Sequence, residues 1–227
     1  MVDFSKLRNA PKKAPPSVPR LVVGVTGHRP HKLHSPGMQD GYDRHNPLRR
    51  WCREQMRSIL LDLIQTTPET RPDRYVDAAY LSNKLDLIEW RNRPASNAPI
   101  AISGVALGID QDFCGVCVEL GVPFVAFIPF VGQDSRWPAA SREVYRKVLD
   151  AAAGVRIVSQ SPATDEAARR AALDRNEAMA EVCDELIAVW DGSQGGTSHM
   201  VRTWDRFNPS CTGRQHRIDP REYPGAA

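Results

Sequence analysis

The hydrophobic pattern along the chain alternates between two textures. Short continuous apolar runs, rich in β-branched residues, recur at Leu21–Thr26 (LVVGVT), Ile100–Ser103 (IAIS), Val122–Phe130 (VPFVAFIPF), Val155–Ser159 (VRIVS) and Glu185–Trp190 (ELIAVW). Between them lie longer stretches whose apolar residues repeat at helical spacing. Runs that are apolar on both faces read as strands buried between two layers, and the spaced stretches read as the helices that cover them. Trp51, Met56, Ile59, Leu60, Leu63 and Ile64 mark a first helix over Leu48–Gln65, ended by TTPETRPD. Asp77–Trp90 reads as a second helix, broken by RNRPASNAP. Further helices are predicted over Ile109–Leu120, Pro138–Ala153, Thr164–Cys183 and Gly196–Phe207.

Strand and helix thus alternate about five times along the chain. This predicts an α/β fold, a Rossmann-like three-layer domain with a mainly parallel open sheet. Residues 1–20 read as a flexible basic, Pro-rich tail, 21–207 as one domain, and 208–227 as an irregular C-terminal tail. Residues 66–99 elaborate the first crossover, and His31–Pro47 forms a polar loop over the strand ends.

Composition narrows the function classes only a little. The 227 residues are 41% hydrophobic and 25% charged, usual for a globular domain, and no apolar run approaches membrane-spanning length. The N-terminal stretch has no apolar core of a secretory signal, so a cytoplasmic location is expected. A net charge of +3, concentrated in the two tails, does not by itself argue for nucleic acid. The five cysteines lack a disulfide-framework spacing. Cys114 and Cys117 form a lone CxxC inside a predicted helix, where small thiols pack in a core. His28, His31 and His34 recur every third residue, but Pro30 and Pro36 prevent the helix that would align them on a metal, so no metal or other cofactor is expected.

Three Gly-bearing turns follow the strands and carry the chemistry. Parallel strands bring such turns to one sheet edge, and Gly-rich strand-to-helix turns aim backbone N–H groups at anions. In Val25–Pro30, Thr26 offers a hydroxyl, Gly27 permits close approach and Arg29 can grip an anion with two donors. In Ser103–Asp110, Ser103, Gly104 and Gly108 let a ligand lie against the backbone. Asp110 in the first helical turn is either a first-turn acid favoured by the helix dipole or a contact to ribose. In Asp191–Thr197, Gly195, Gly196 and Thr197 form the strongest phosphate cradle, preceded by Asp191. Gln133 and Trp137 after the third run are candidates to read and stack on a base. Arg175 and Asn176 lie mid-helix.

In order and spacing, VTGHRP, SGVALGID, PFVGQDSRW, RNEAM and DGSQGGT resemble the SLOG superfamily, most nearly its YpsA-like branch, which is related to the DprA/Smf and LOG-type phosphoribohydrolase proteins. The resemblance spans about Leu21 to Phe207 and implies a Rossmann-like domain holding a nucleotide or nucleotide-derived ligand at the strand ends. It also implies that Arg175 faces a phosphosugar. The chain departs from the hydrolytic relatives at Met200, where their motif carries a catalytic Glu. Met cannot activate water or stabilise a developing cation by charge. The expected function is therefore nucleotide binding, as sensor or sequestering protein. A nucleotide N-glycosidase with Asp110 as its acid is the alternative, and single-stranded DNA handling a further one. The expected partner is a nucleotide-like small molecule, with self-association open and no membrane.

Overall fold

The computed structural model describes residues 21–34, 40–65, 84–92, 94, 98–209 and 214–226. Seven strands form one sheet in the order β2-β5-β4-β3-β1-β6-β7. They are β1 (Leu21–Gly27), β2 (Glu89–Trp90), β3 (Pro99–Ser103), β4 (Phe124–Ile128), β5 (Gly154–Ile157), β6 (Glu185–Val189) and β7 (Gln215–Ile218). Among the described residues only β2 runs antiparallel, against β5. The helices are α1 (Pro47–Gln65), α2 (Ile109–Glu119), α3 (Ala139–Ala151), α4 (Asp165–Ala180) and α5 (Gly196–Phe207).

Both sheet faces are covered, which is why the strands are apolar throughout. On one face Val23, Val25, Ala126 and Ile128 pack with Met56 and Leu60 of α1, Phe113 of α2 and Leu149 of α3. On the other, Val22, Ile102, Phe127 and Leu186 pack with Met179 of α4 and with Met200 and Trp204 of α5. Alternate residues of β1 therefore enter different cores, as the period of a strand requires. The expected α/β fold with a mainly parallel, open, three-layer sheet is the fold observed. Cys114 and Cys117 pack in the first core, and burial drives the Cys114 thiol up to about 12.

Two expectations are corrected at the sheet edges. Of the helix expected over Asp77–Trp90, residues 77–83 lie outside the described residues, and Glu89–Trp90 is a strand. Trp90 pairs with Gly154, whose missing side chain leaves room for Ile88 and the Trp90 ring. The C-terminal segment is not irregular throughout, because Gln215–Ile218 adds a parallel strand beside β6. Its single apolar residue hides the pattern. Its polar residues find tertiary partners instead: His216 meets the buried Glu185 at 2.8 Å, and Arg217 stacks over Trp190 at 5.0 Å. β4 is shorter than the apolar run Val122–Phe130 that contains it because Pro123 and Pro129 bracket it. The N-terminal tail, residues 1–20, lies outside the described residues.

One buried ion pair joins the first helix layer. Arg49 of α1 donates through Nε and Nη2 to both oxygens of the fully buried Asp112 on α2, at 2.8 and 2.9 Å. Its Nη1 donates to the carbonyls of Gly41 and Tyr42, both at 3.0 Å, so the loop before α1 is held as well. Asn46 caps α1 by accepting from the Leu48 amide at 3.0 Å. Removing Arg49 strands a buried charge, so Arg49→Ala is expected to cost about 3–5 kcal/mol in chemical denaturation. The apolar pair Arg49→Met with Asp112→Leu is expected to recover most of that. An Arg49→Ala variant as stable as the parent contradicts the assignment.

Candidate functional site

The chain leaves β1 toward β3, β4 and β5 on one side and returns to β6 and β7 on the other, so β1 sits where the strand order reverses. Ligands of open α/β sheets bind in the crevice outside the carboxyl ends at such a point. A cavity of about 230 Å³ lies there. Its wall combines residues of the β1 exit (Thr26, Gly27, Arg29), of the turn into α2 (Ala106, Asp110), of α4 (Arg175, Asn176) and of the turn into α5 (Gly195, Gly196, Thr197). The three Gly-bearing turns therefore converge.

Arg175 is the centre of this arrangement. Only 8% exposed, it reaches from α4 across the edge of β3, with Nη1 3.8 Å from Asp110 Oδ2. Neither its Nε nor its Nη1 has a hydrogen-bond partner. Buried donors are normally satisfied, so an anionic oxygen delivered at this wall would meet a strong and unspent partner. Burial pulls the Arg175 guanidinium below its usual value, and Asp110 opposes this. Burial pushes the Asp110 carboxyl up, against the charge of Arg175, an amide bond from Ala106 and the charge of Arg29.

The turn between β3 and α2 is shaped to admit that guanidinium. A Cβ on Gly104 would fall 1.4 Å from Arg175 Nη1. Gly108 adopts φ +96°, and a Cβ there would meet the His28 carbonyl at 2.6 Å. The buried Val105 holds φ +50°, a costly conformation for a β-branched residue. Ser103 sustains it, accepting from the Val105 amide and donating to the Asp110 carbonyl, both at 3.1 Å. Ser103, Gly104 and Gly108 thus build the wall, and the cavity lining proper passes to Ala106 and Asp110.

At the opposite wall α5 opens with Gly195 and Gly196, whose Cβ positions would meet no atom within 4 Å. Its first amides point outward with no intrahelical acceptor and carry the positive end of the helix dipole. Asn176 fixes this turn to α4 by donating to the Gly196 carbonyl at 3.1 Å, so it positions the cradle. Asp191 lies outside the cavity lining and holds the same loop from below. Its Oδ1 accepts from the Ser193 amide and lies 2.9 Å from Nε2 of the buried His28. Burial pushes the Asp191 carboxyl up, but the bonds from Ser193 and the contact with His28 outweigh this and hold it below the ordinary carboxylate range. Burial lowers His28.

Gln133 and Trp137 are not brought to the cavity. Tight turns after β4 fold their segment onto α3, where Gln133 donates to the Tyr145 hydroxyl at 3.0 Å. Trp137 packs edge-on against the same ring, 5.3 Å between centroids. Met200, at the position of the relatives' catalytic Glu, is a core residue 1% exposed. Sequence reasoning missed Lys32, His31, Ser193 and Gln194, which also line the cavity. Pro30, opening the short helical turn Pro30–Lys32, was the available signal for the first two. Among the described residues no group of three His, Cys, Asp or Glu side chains could hold a metal, and no helix is long and apolar enough to cross a membrane.

Residues 89–217, more than half the chain, match the family of DNA recombination-mediator protein A. The chain belongs to this family. The match covers the Gly104 turn, Arg175 and the α5 cradle, whereas Arg29 and Lys32 lie before it. An uncharacterized SPbeta prophage-derived protein, YoqJ of Bacillus subtilis (strain 168), is 29% identical over 115 residues, which are 44% of this chain and 66% of that protein. Among solved structures, DNA processing protein A from Streptococcus pneumoniae aligns with 91% of this chain and 53% of its own, at TM-score 0.49 and 13% identity. DNA processing protein A from Helicobacter pylori, described for its single-stranded DNA binding mode, aligns with 83% of this chain and 62% of its own, at TM-score 0.46 and 11% identity. The chain thus spans just under two thirds of the prophage protein, and 53% and 62% of the two solved chains.

If Gly104 is small to admit the guanidinium, Gly104→Ala should destabilise by about 1–3 kcal/mol through overpacking. Arg175→Ala in the same chain should cancel most of that cost in a double-mutant cycle. Strictly additive effects contradict the contact.

Proposed function

We propose that this protein binds the phosphate of a nucleotide at the carboxyl ends of β1, β3 and β6, and that it does so without cleaving the ligand. The observation that carries the reading is the buried Arg175, two of whose donors have no hydrogen-bond partner, in the lining of a cavity that also holds the open N-terminus of α5. Arg29 and Lys32 add charge on the β1 side. Thr197, at the second helical position of α5, supplies a hydroxyl beside the amides. Phosphate is the anion that such a combination of helix end and guanidinium suits best.

Hydrolysis of the glycosidic bond has less support. The only carboxylate lining the cavity among the described residues is Asp110, and its oxygen is engaged by the Ala106 amide at 3.3 Å and by Arg175. Membership of a family named for DNA recombination favours a second source for the same chemistry, the phosphate of a single DNA strand. In both cases the role is holding and presenting a nucleotide.

Calorimetric titration with a panel of nucleoside monophosphates and short single-stranded oligonucleotides tests this directly. Arg175→Ala and Arg29→Ala are each expected to weaken binding by about 1.5–3 kcal/mol, the value of a charge-assisted contact. Gly196→Val, whose side chain would project into open space, should fold normally and lose binding. Full affinity in a folded Gly196→Val variant would remove α5 from the site.

Chromatography of the same mixtures after long incubation is expected to show intact ligand. Free base released at catalytic rates, and lost in Asp110→Ala, would replace binding by turnover.

A further inference from the structure

Lys32 and Ser193 are far apart in sequence, yet Lys32 Nζ donates to Ser193 Oγ at 2.6 Å. Both line the phosphate cavity. Their bond ties the turn after β1 to the turn before α5, closing the rim between two neighbouring strands. A phosphate inside a nucleic acid strand has chain leaving it on two sides, and a tied rim obstructs one of them. A terminal phosphate needs only one exit.

Charge points the same way. Arg29, Lys32 and Arg175 face the cavity against one carboxylate, Asp110, and the positive end of α5 adds to the excess. The Lys32 ammonium donates to a neutral hydroxyl, so its charge stays available to a ligand. A phosphate monoester carries roughly −1.5 to −2 at neutral pH, with three acceptor oxygens. A diester carries one charge and two free oxygens, and would leave a cation uncompensated. Volume agrees, since about 230 Å³ admits a phosphate and its sugar more readily than several nucleotides.

We infer that the cavity selects a phosphate monoester, the terminal phosphate of a nucleotide, over the diester linkage within a strand, with Lys32 and Ser193 setting that preference. This rests on the reading of the cavity as a nucleotide-phosphate site.

The test uses the full chain and two matched pairs of ligands. One pair is a short single-stranded oligodeoxynucleotide with a 5′-phosphate or a 5′-hydroxyl, followed by fluorescence anisotropy. The other is a nucleoside 5′-monophosphate or its methyl ester, followed by calorimetry. The monoester is expected to bind at least about tenfold tighter within whichever pair binds, and the tighter pair identifies strand end or free nucleotide as the source. Ser193→Ala unties the rim without changing charge and should improve diester binding relative to monoester. Lys32→Ala should abolish the preference by weakening the monoester. Equal affinity for the 5′-phosphate and 5′-hydroxyl strands, or a preference unchanged in both variants, overturns the inference while leaving a phosphate site intact. Failure of all four ligands to bind overturns the phosphate reading itself, and the inference with it.

Discussion

The structure turns on where a buried arginine can go. Arg175 projects from the helix layer on one face of the sheet to the edge of β3, where Asp110 from the other layer meets it at 3.8 Å. Such a long-range pair, almost wholly buried, gains little stability on its own, because desolvation offsets the attraction. Its consequence is geometric. The guanidinium fits only because Gly104 has no side chain, and Asp110 is placed only because the strained Val105 turn is held by Ser103. Local strain and an orphaned donor set at one spot are expected where function, not stability, determines the sequence.

The rest of the fold serves to hold that spot rigid. α2 is anchored through the Arg49–Asp112 pair two residues beyond Asp110. α5 is fixed by Asn176, which directly follows Arg175 on α4. The loop between β6 and α5 is tied by Asp191 to His28 and by Lys32 to Ser193. Each wall of the cavity is thus clamped by a polar contact between distant segments, and the open face is left to backbone amides and cations.

Much of this was legible along the chain, for definable reasons. Strands buried on both faces announce themselves as apolar runs, and Gly-bearing exits mark the sheet edge where they meet, so Arg29, Asp110 and Gly195–Thr197 were found together. Gln133 and Trp137 misled because a strand exit with aromatics says nothing of which way it folds, and here it packs on Tyr145. The contact between Lys32 and Ser193 was invisible because only the sheet order brings the two together. β7 was hidden because its residues QHRI are satisfied by Glu185 and Trp190, partners that periodicity does not reveal.

The place of the phosphate is read most directly from a crystal structure grown with a nucleoside 5′-monophosphate. The phosphorus is expected over the first turn of α5, its oxygens within hydrogen-bond reach of the Gly196 and Thr197 amides and of the Arg175 guanidinium. A ligand bound elsewhere, with Arg175 still facing only Asp110, would contradict this placement.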